Sequence, residues 1–141
     1  MSRYSSTRGG LLAAFIIGGI LIAGFLLLAL ARQQGLIDED ITTRGLNVLL
    51  GLGIAAWGNR IPKALDGPPP ASIALAAVRQ AVHRVVGWVM MLLGIAVAVL
   101  WAFAPRDVAV TGCVVAVVAA IAMVFGYIVW RGVALHRSST P

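Results

Sequence analysis

The sequence predicts an all-α, polytopic membrane protein: one integral membrane domain, folded as a four-transmembrane-helix bundle with both termini on the cytoplasmic side. Three observations carry this expectation. The 141 residues are 60% hydrophobic and 11% charged, with a mean hydropathy of +0.96, whereas soluble domains carry about 25% charged residues. The charges that are present sit at the ends of long apolar runs. The basic ones, moreover, gather on one side once the runs are threaded back and forth, as topology signals do. A net charge of +6 arranged in this way does not point to nucleic acid.

The first span covers about residues 9–31. Gly9 to Ala31 is free of charge and bracketed by Arg8 and Arg32. At ~1.5 Å per residue such a helix crosses a ~30 Å hydrocarbon core. Arg3 and Arg8 give it the look of a signal peptide. Its apolar core is too long for that, and "RQQG" is a poor cleavage site, so the span is expected to be retained.

The second span, about 39–58, is less obvious. Gly45 to Gly58 is too short alone. Asp38, Glu39 and Asp40 suit a helix N-terminus, where carboxylates meet unpaired N–H groups and the positive end of the dipole. A start near Glu39 gives the ~20 residues needed. Arg44 is then expected at the water boundary, snorkelling outward. Asn47, one turn deeper, is expected to bond another helix or the backbone.

The third span, about 85–104, ends at Pro105, and the fourth runs over about 108–133. "APRDV" between them allows only a tight turn, which makes the pair an antiparallel hairpin. Gly18, Gly19, Gly24, Gly51, Gly53, Gly112 and Gly126 are expected to let helices approach closely.

Residues 59–84 form the cytoplasmic loop. "DGPPP", Asp66 to Pro70, stops any helix, and Ser72 offers an N-cap. No strong breaker follows, so residues 71–84 are either a basic amphipathic helix on the membrane or an extension of the third span. Arg79, Gln80, His83 and Arg84 share one helical face, with Leu75, Val78, Val82 and Val85 on the other, a pattern suited to anionic headgroups.

Charge sets the orientation. The side with both termini and this loop carries Arg3, Arg8, Arg60, Lys63, Arg79, Arg84, Arg131 and Arg137 against Asp66 alone. The other side carries Arg32, Arg44 and Arg106 against Asp38, Glu39, Asp40 and Asp107. The positive-inside rule makes the first side cytoplasmic. Arg60, Arg79, Arg131 and Arg137 are expected to meet lipid headgroups or a partner. Trp57, Trp88, Trp101 and Trp130 fall near span ends and are expected to form an interfacial belt.

No ionisable residue lies in the middle of a span, so a proton-coupled transporter would lack its proton site. No nucleophile with a base, carboxylate pair or metal-ligand set stands out, and neither enzyme activity, cofactor nor metal is expected. Asp38, Glu39 and Asp40 read as helix-terminal charge. The single cysteine, Cys113, reads as a small packing residue. His83 and His136 are expected to face phosphate headgroups.

"GNRIPK", Gly58 to Lys63, resembles the Gly-Asn-x-x-Pro-Lys motif of the SdpI family of bacterial membrane proteins. "HRVVGW" supplies His83, Arg84 and Gly87 in the arrangement of that family's second cluster. The resemblance covers residues 46–97; the loop between the clusters departs from the family pattern. It implies a toxin-immunity or signalling role by protein–protein interaction through the cytoplasmic loop. Gly58, Asn59, Pro62, Lys63, His83, Arg84 and Gly87 would then be the interaction residues, clasping the base of the second and third spans. Two other readings remain open from the residues: a structural or accessory subunit of a larger membrane complex, and an oligomeric channel or transporter. The partners expected are membrane lipids, a soluble regulator or other membrane subunits, and a second copy of the chain.

Overall fold

A computed structural model describes residues 3–61 and 73–138. These form four helices: α1 (Arg3–Gln33), α2 (Glu39–Gly58), α3 (Ile73–Phe103) and α4 (Arg106–Ser138). Three are long and apolar enough to cross a membrane, over Ala14–Gln33, Ala76–Phe103 and Arg106–Ala134. The protein is therefore all-helical in its described residues, with the make-up of a multi-pass membrane protein. The second helix is shorter and carries Glu39, Asp40 and Arg44 in its first turns. Its 20 residues amount to roughly 30 Å of helix.

Local chemistry fixes the helix ends. The first helix closes in a Schellman motif: the Leu36 N–H donates to Ala31 O and the Gly35 N–H to Arg32 O, each at 3.0 Å. Gly35 takes the left-handed conformation this requires, at φ 69°, which a glycine adopts without a Cβ clash. The second helix opens on Asp38, whose carboxylate accepts from the Ile41 N–H at 2.8 Å. Thr42, buried, donates its hydroxyl to Asp38 O at 2.7 Å. The acidic run thus caps a helix, as its composition predicts. Pro105 separates α3 from α4, and its carbonyl accepts the Ala109 N–H at 2.9 Å.

The helices lie in a row. Each is antiparallel to the next, and α1 packs on α2, α2 on α3, and α3 on α4. Among the described residues no other pair of helices is in contact. The expected four-helix bundle is therefore open: α1 and α4 form its two flanks and do not close on each other. Their surfaces are apolar, with Phe15, Leu27, Val118 and Phe125 all exposed. In a bilayer such faces meet lipid tails at no cost, so closure has no hydrophobic drive behind it.

Packing differs along the row. Between α1 and α2, leucines fill the space over glycines: Leu21 over Gly53, Leu49 over Gly24 and Leu28 over Gly45. Between α2 and α3 the backbones themselves meet. A methyl group added at Gly51 would lie 2.7 Å from both Ala98 N and Gly94 O. One added at Gly58 would lie 2.5 Å from Met91 N and 2.9 Å from Gly87 O, and one at Gly94 would collide with Ala55 N and Gly51 O. Gly51, Ala55 and Gly58 on one helix and Gly87, Gly94 and Ala98 on the other form a seam of small residues. Beside it, Val97, Trp101 and Ala109 make a small core, joined by Val48, Leu93, Leu100, Ala104 and Cys113. Cys113 packs there as an apolar residue.

The third helix starts at Ile73 and runs unbroken to Phe103, so the span expected over about 85–104 is part of a longer helix. Of the two arrangements open for residues 71–84, the described residues from Ile73 take the extension of the third span: no breaker interrupts "IALAAVRQAVHR", so propagation continues once the helix has formed. Trp101 is buried at 7% exposure, in the core and not in a belt. It faces α4 beside Ala109, whose small side chain leaves room for the indole. The interval 62–72, with "DGPPP" and the Ser72 cap, lies outside the described residues.

The α2–α3 seam makes a graded prediction. Gly94→Ala sets a methyl against backbone, which has no rotamer with which to yield, and should destabilise by about 1–3 kcal/mol. Gly126→Ala has nothing within 4 Å and should be neutral, or stabilising by up to about 1 kcal/mol through helix propensity. Thermal unfolding in one detergent compares the two. Equal midpoints would show that the seam carries no packing constraint.

Candidate functional site

The two sequence clusters meet at the base of α2 and α3. The glycines bring them together, since Gly58 lies directly on Gly87 and the following turn of α3. The second helix then ends without a left-handed residue. Asn59 stays near helical geometry, φ −64° and ψ −17°. Its N–H donates to Ala55 O at 3.0 Å, and the Arg60 N–H donates to Trp57 O at 2.9 Å, tightening the last turn. Asn59 and Arg84 are exposed; Arg60, Arg79 and His83 are half-buried.

Among the described residues, Gly58 and Gly87 touch, and no side-chain hydrogen bond joins Asn59 to His83 or Arg84. Pro62 and Lys63 lie outside the described residues, as do the side chains of Arg137 and His136. The glycines of both clusters therefore act in helix packing, and Asn59 and Arg84 are exposed at the same helix-pair end, with His83 half-buried beside them. No group of three or more His, Cys, Asp or Glu able to hold a metal occurs among the described residues.

The opposite end is built differently. Arg44 does more than snorkel. Its Nε donates to Asp40 at 2.7 Å, and its Nη1 donates to Ala104 O at 2.8 Å and, more weakly, to Trp101 O at 3.4 Å. It thus caps the last carbonyls of α3, where unpaired acceptors and the negative end of the dipole favour a cation. Arg32 pairs with Glu39 at 3.1 Å across the α1–α2 turn, an exposed bridge of small energetic weight. Asn47 donates to Thr43 O at 2.8 Å, satisfied within its own helix. These polar groups are occupied with one another and with helix ends, which is a structural use.

A third cluster was not singled out as a unit from the sequence. On α4, the Arg131 Nε donates to the Tyr127 hydroxyl at 3.2 Å, and the guanidinium lies 5.9 Å from the Tyr127 ring and 5.8 Å from the Trp130 ring. The signal was present in the spacing: positions 127, 130 and 131 are neighbours on a helix surface at i, i+3 and i+4.

No family model matches this sequence, no curated protein matches it, and no solved structure matches it.

The Arg44 cap makes a direct prediction. Arg44→Ala removes a charge-assisted contact between α2 and α3 and should cost about 1.5–3 kcal/mol. Arg44→Lys keeps the charge but not the fork and should recover only part of it. Denaturation in mixed micelles reads both. An Arg44→Ala protein as stable as wild type would remove the cap from the account.

Proposed function

We propose that this chain is a four-span protein of the bacterial inner membrane, with both termini cytoplasmic, that acts by binding a protein partner at the α2–α3 base and not by catalysis. The role is the one its resemblance to the SdpI family implies: immunity to a secreted toxin, or signalling through a soluble regulator. The observation that carries this reading is the Gly58–Gly87 contact. It draws two segments separated by a loop to one end of one helix pair, with Asn59 and Arg84 exposed beside it. Support for α2 as the fourth span comes from its length and its place between α1 and α3. Support for the orientation comes from charge: Arg60, Arg79, Arg84 and Arg131 stand toward the Gly58 end, while Asp38, Glu39, Asp40 and Asp107 stand toward the other, as the positive-inside rule requires.

The open row favours a second reading, an accessory subunit of a larger membrane complex. Among the described residues each flanking helix has a single packing partner, which leaves long apolar faces for other subunits.

One experiment separates the two. A deletion strain is grown in medium conditioned by its own wild-type culture and complemented with wild type, Asn59→Ala or Arg84→Ala, with membrane levels checked. The immunity reading expects wild type to restore growth and each variant to lose most of that protection while inserting normally. Variants that protect as well as wild type would overturn it. Stoichiometric recovery with larger membrane subunits after gentle detergent extraction would then favour the second reading.

A further inference from the structure

The aromatic belt of this protein is one-sided. Of the four tryptophans, Trp57, Trp88 and Trp130 are exposed at 52%, 59% and 64%, and Trp101 is buried. The Gly58–Gly87 contact sets Trp57 and Trp88 at one level of the α2–α3 pair. Leu100 lies on Gly112, and equal steps along the antiparallel helices from there reach Val85 on α3 and Tyr127 on α4. Tyr127, Trp130 and Arg131 therefore stand at the same end of the row as Trp57 and Trp88. Arg60, Arg79 and Arg84 lie just beyond the tryptophans, and every carboxylate among the described residues lies at the opposite end.

Helix length is one-sided too. The 31 to 33 residues of α1, α3 and α4 make roughly 46–50 Å of helix, well over a ~30 Å core. The turns at Gly35 and Pro105 hold the opposite end level, so the surplus emerges at the basic end. Tryptophan rings sit at headgroup depth, and arginines one or two turns further out meet phosphate.

We propose that this end is a binding collar for anionic phospholipid headgroups, in which Arg131 is the preorganised phosphate ligand. Tyr127 and Trp130 hold its guanidinium by one hydrogen bond and two ring contacts; Trp130 is exposed, while Tyr127 and Arg131 are half-buried at the basic end of the α4 stripe that carries Ala109 and Cys113. A guanidinium fixed in this way loses little freedom when it bonds a phosphodiester, which its planar fork matches. The occupant is lipid and not free phosphate, because the exposed Trp130 ring beside Arg131 needs acyl and glycerol surface to cover it. Arg131 lies on α4, apart from Asn59 and Arg84 at which partner docking is tested, so lipid binding and partner binding can fail separately.

The test is native mass spectrometry of the full chain released from nanodiscs holding equal phosphatidylglycerol and phosphatidylcholine. Wild type should retain phosphatidylglycerol preferentially. Arg131→Ala should cut that preference by about fivefold, the effect of one basic residue at an anionic surface. Tyr127→Phe should cut it less, and Arg106→Ala, at the opposite end, should leave it unchanged. Excess inorganic phosphate should not displace the lipid. Equal retention of the two lipids by wild type, a preference unaffected by both Arg131→Ala and Tyr127→Phe, an equal loss in Arg106→Ala, or displacement by phosphate would overturn the proposal.

Discussion

The backbone contact between α2 and α3 is the constraint on which the rest of the structure depends. In a bilayer, burying apolar side chains against each other gains little, because lipid tails are equally apolar. What remains is close packing and polar pairing. The second helix needs both more than its neighbours do, since its first turns carry Glu39, Asp40 and Arg44. Gly51, Ala55 and Gly58 let it lie against Gly87, Gly94 and Ala98 without intervening side chains. That approach also brings Arg44 within reach of the Ala104 carbonyl. Packing along the seam and capping at its end are thus one arrangement seen at two depths.

The same seam divides the molecule into unlike ends. At the Arg44 end, charges are spent internally, on a helix cap, an ion pair and the carbonyls of α3. At the Gly58 end, Trp57, Trp88, Trp130 and Arg84 are exposed. The carboxylates of the described residues all lie at the Arg44 end. The proposed partner binding at the α2–α3 base and the proposed lipid binding around Arg131 draw on neighbouring but separate parts of the other end.

Much of this was legible in the sequence where a local rule operates. The boundaries of α2 follow from Asp38 as a cap and from the Gly-Asn pair after Trp57. The α3–α4 turn follows from Pro105. What escaped depends on tertiary context. Gly94 looks like any other glycine until its partner helix is known, and Trp101 looks interfacial until Ala109 provides space beside it. Arg44 reads as a snorkelling cation because nothing local announces that the end of α3 lies beside it. Closure of the bundle could not be read at all, since apolar flanks are compatible with lipid, a partner or one another. Of the candidate site, the sequence pointed to two clusters whose glycines, Gly58 at the end of α2 and Gly87 near the middle of α3, lie together. It did not show that, among the described residues, the contact is made by the glycines.

The most direct test needs no substitution. In isotope-labelled protein in nanodiscs, interhelical nuclear Overhauser effects report backbone proximity. A seam as close as this one should give cross-peaks from the Gly94 α protons to the Ala55 amide and from the Gly51 α protons to the Ala98 amide. If both are absent while intrahelical peaks from the same residues are strong, α2 and α3 are held apart by side chains, and the account built on their contact is wrong.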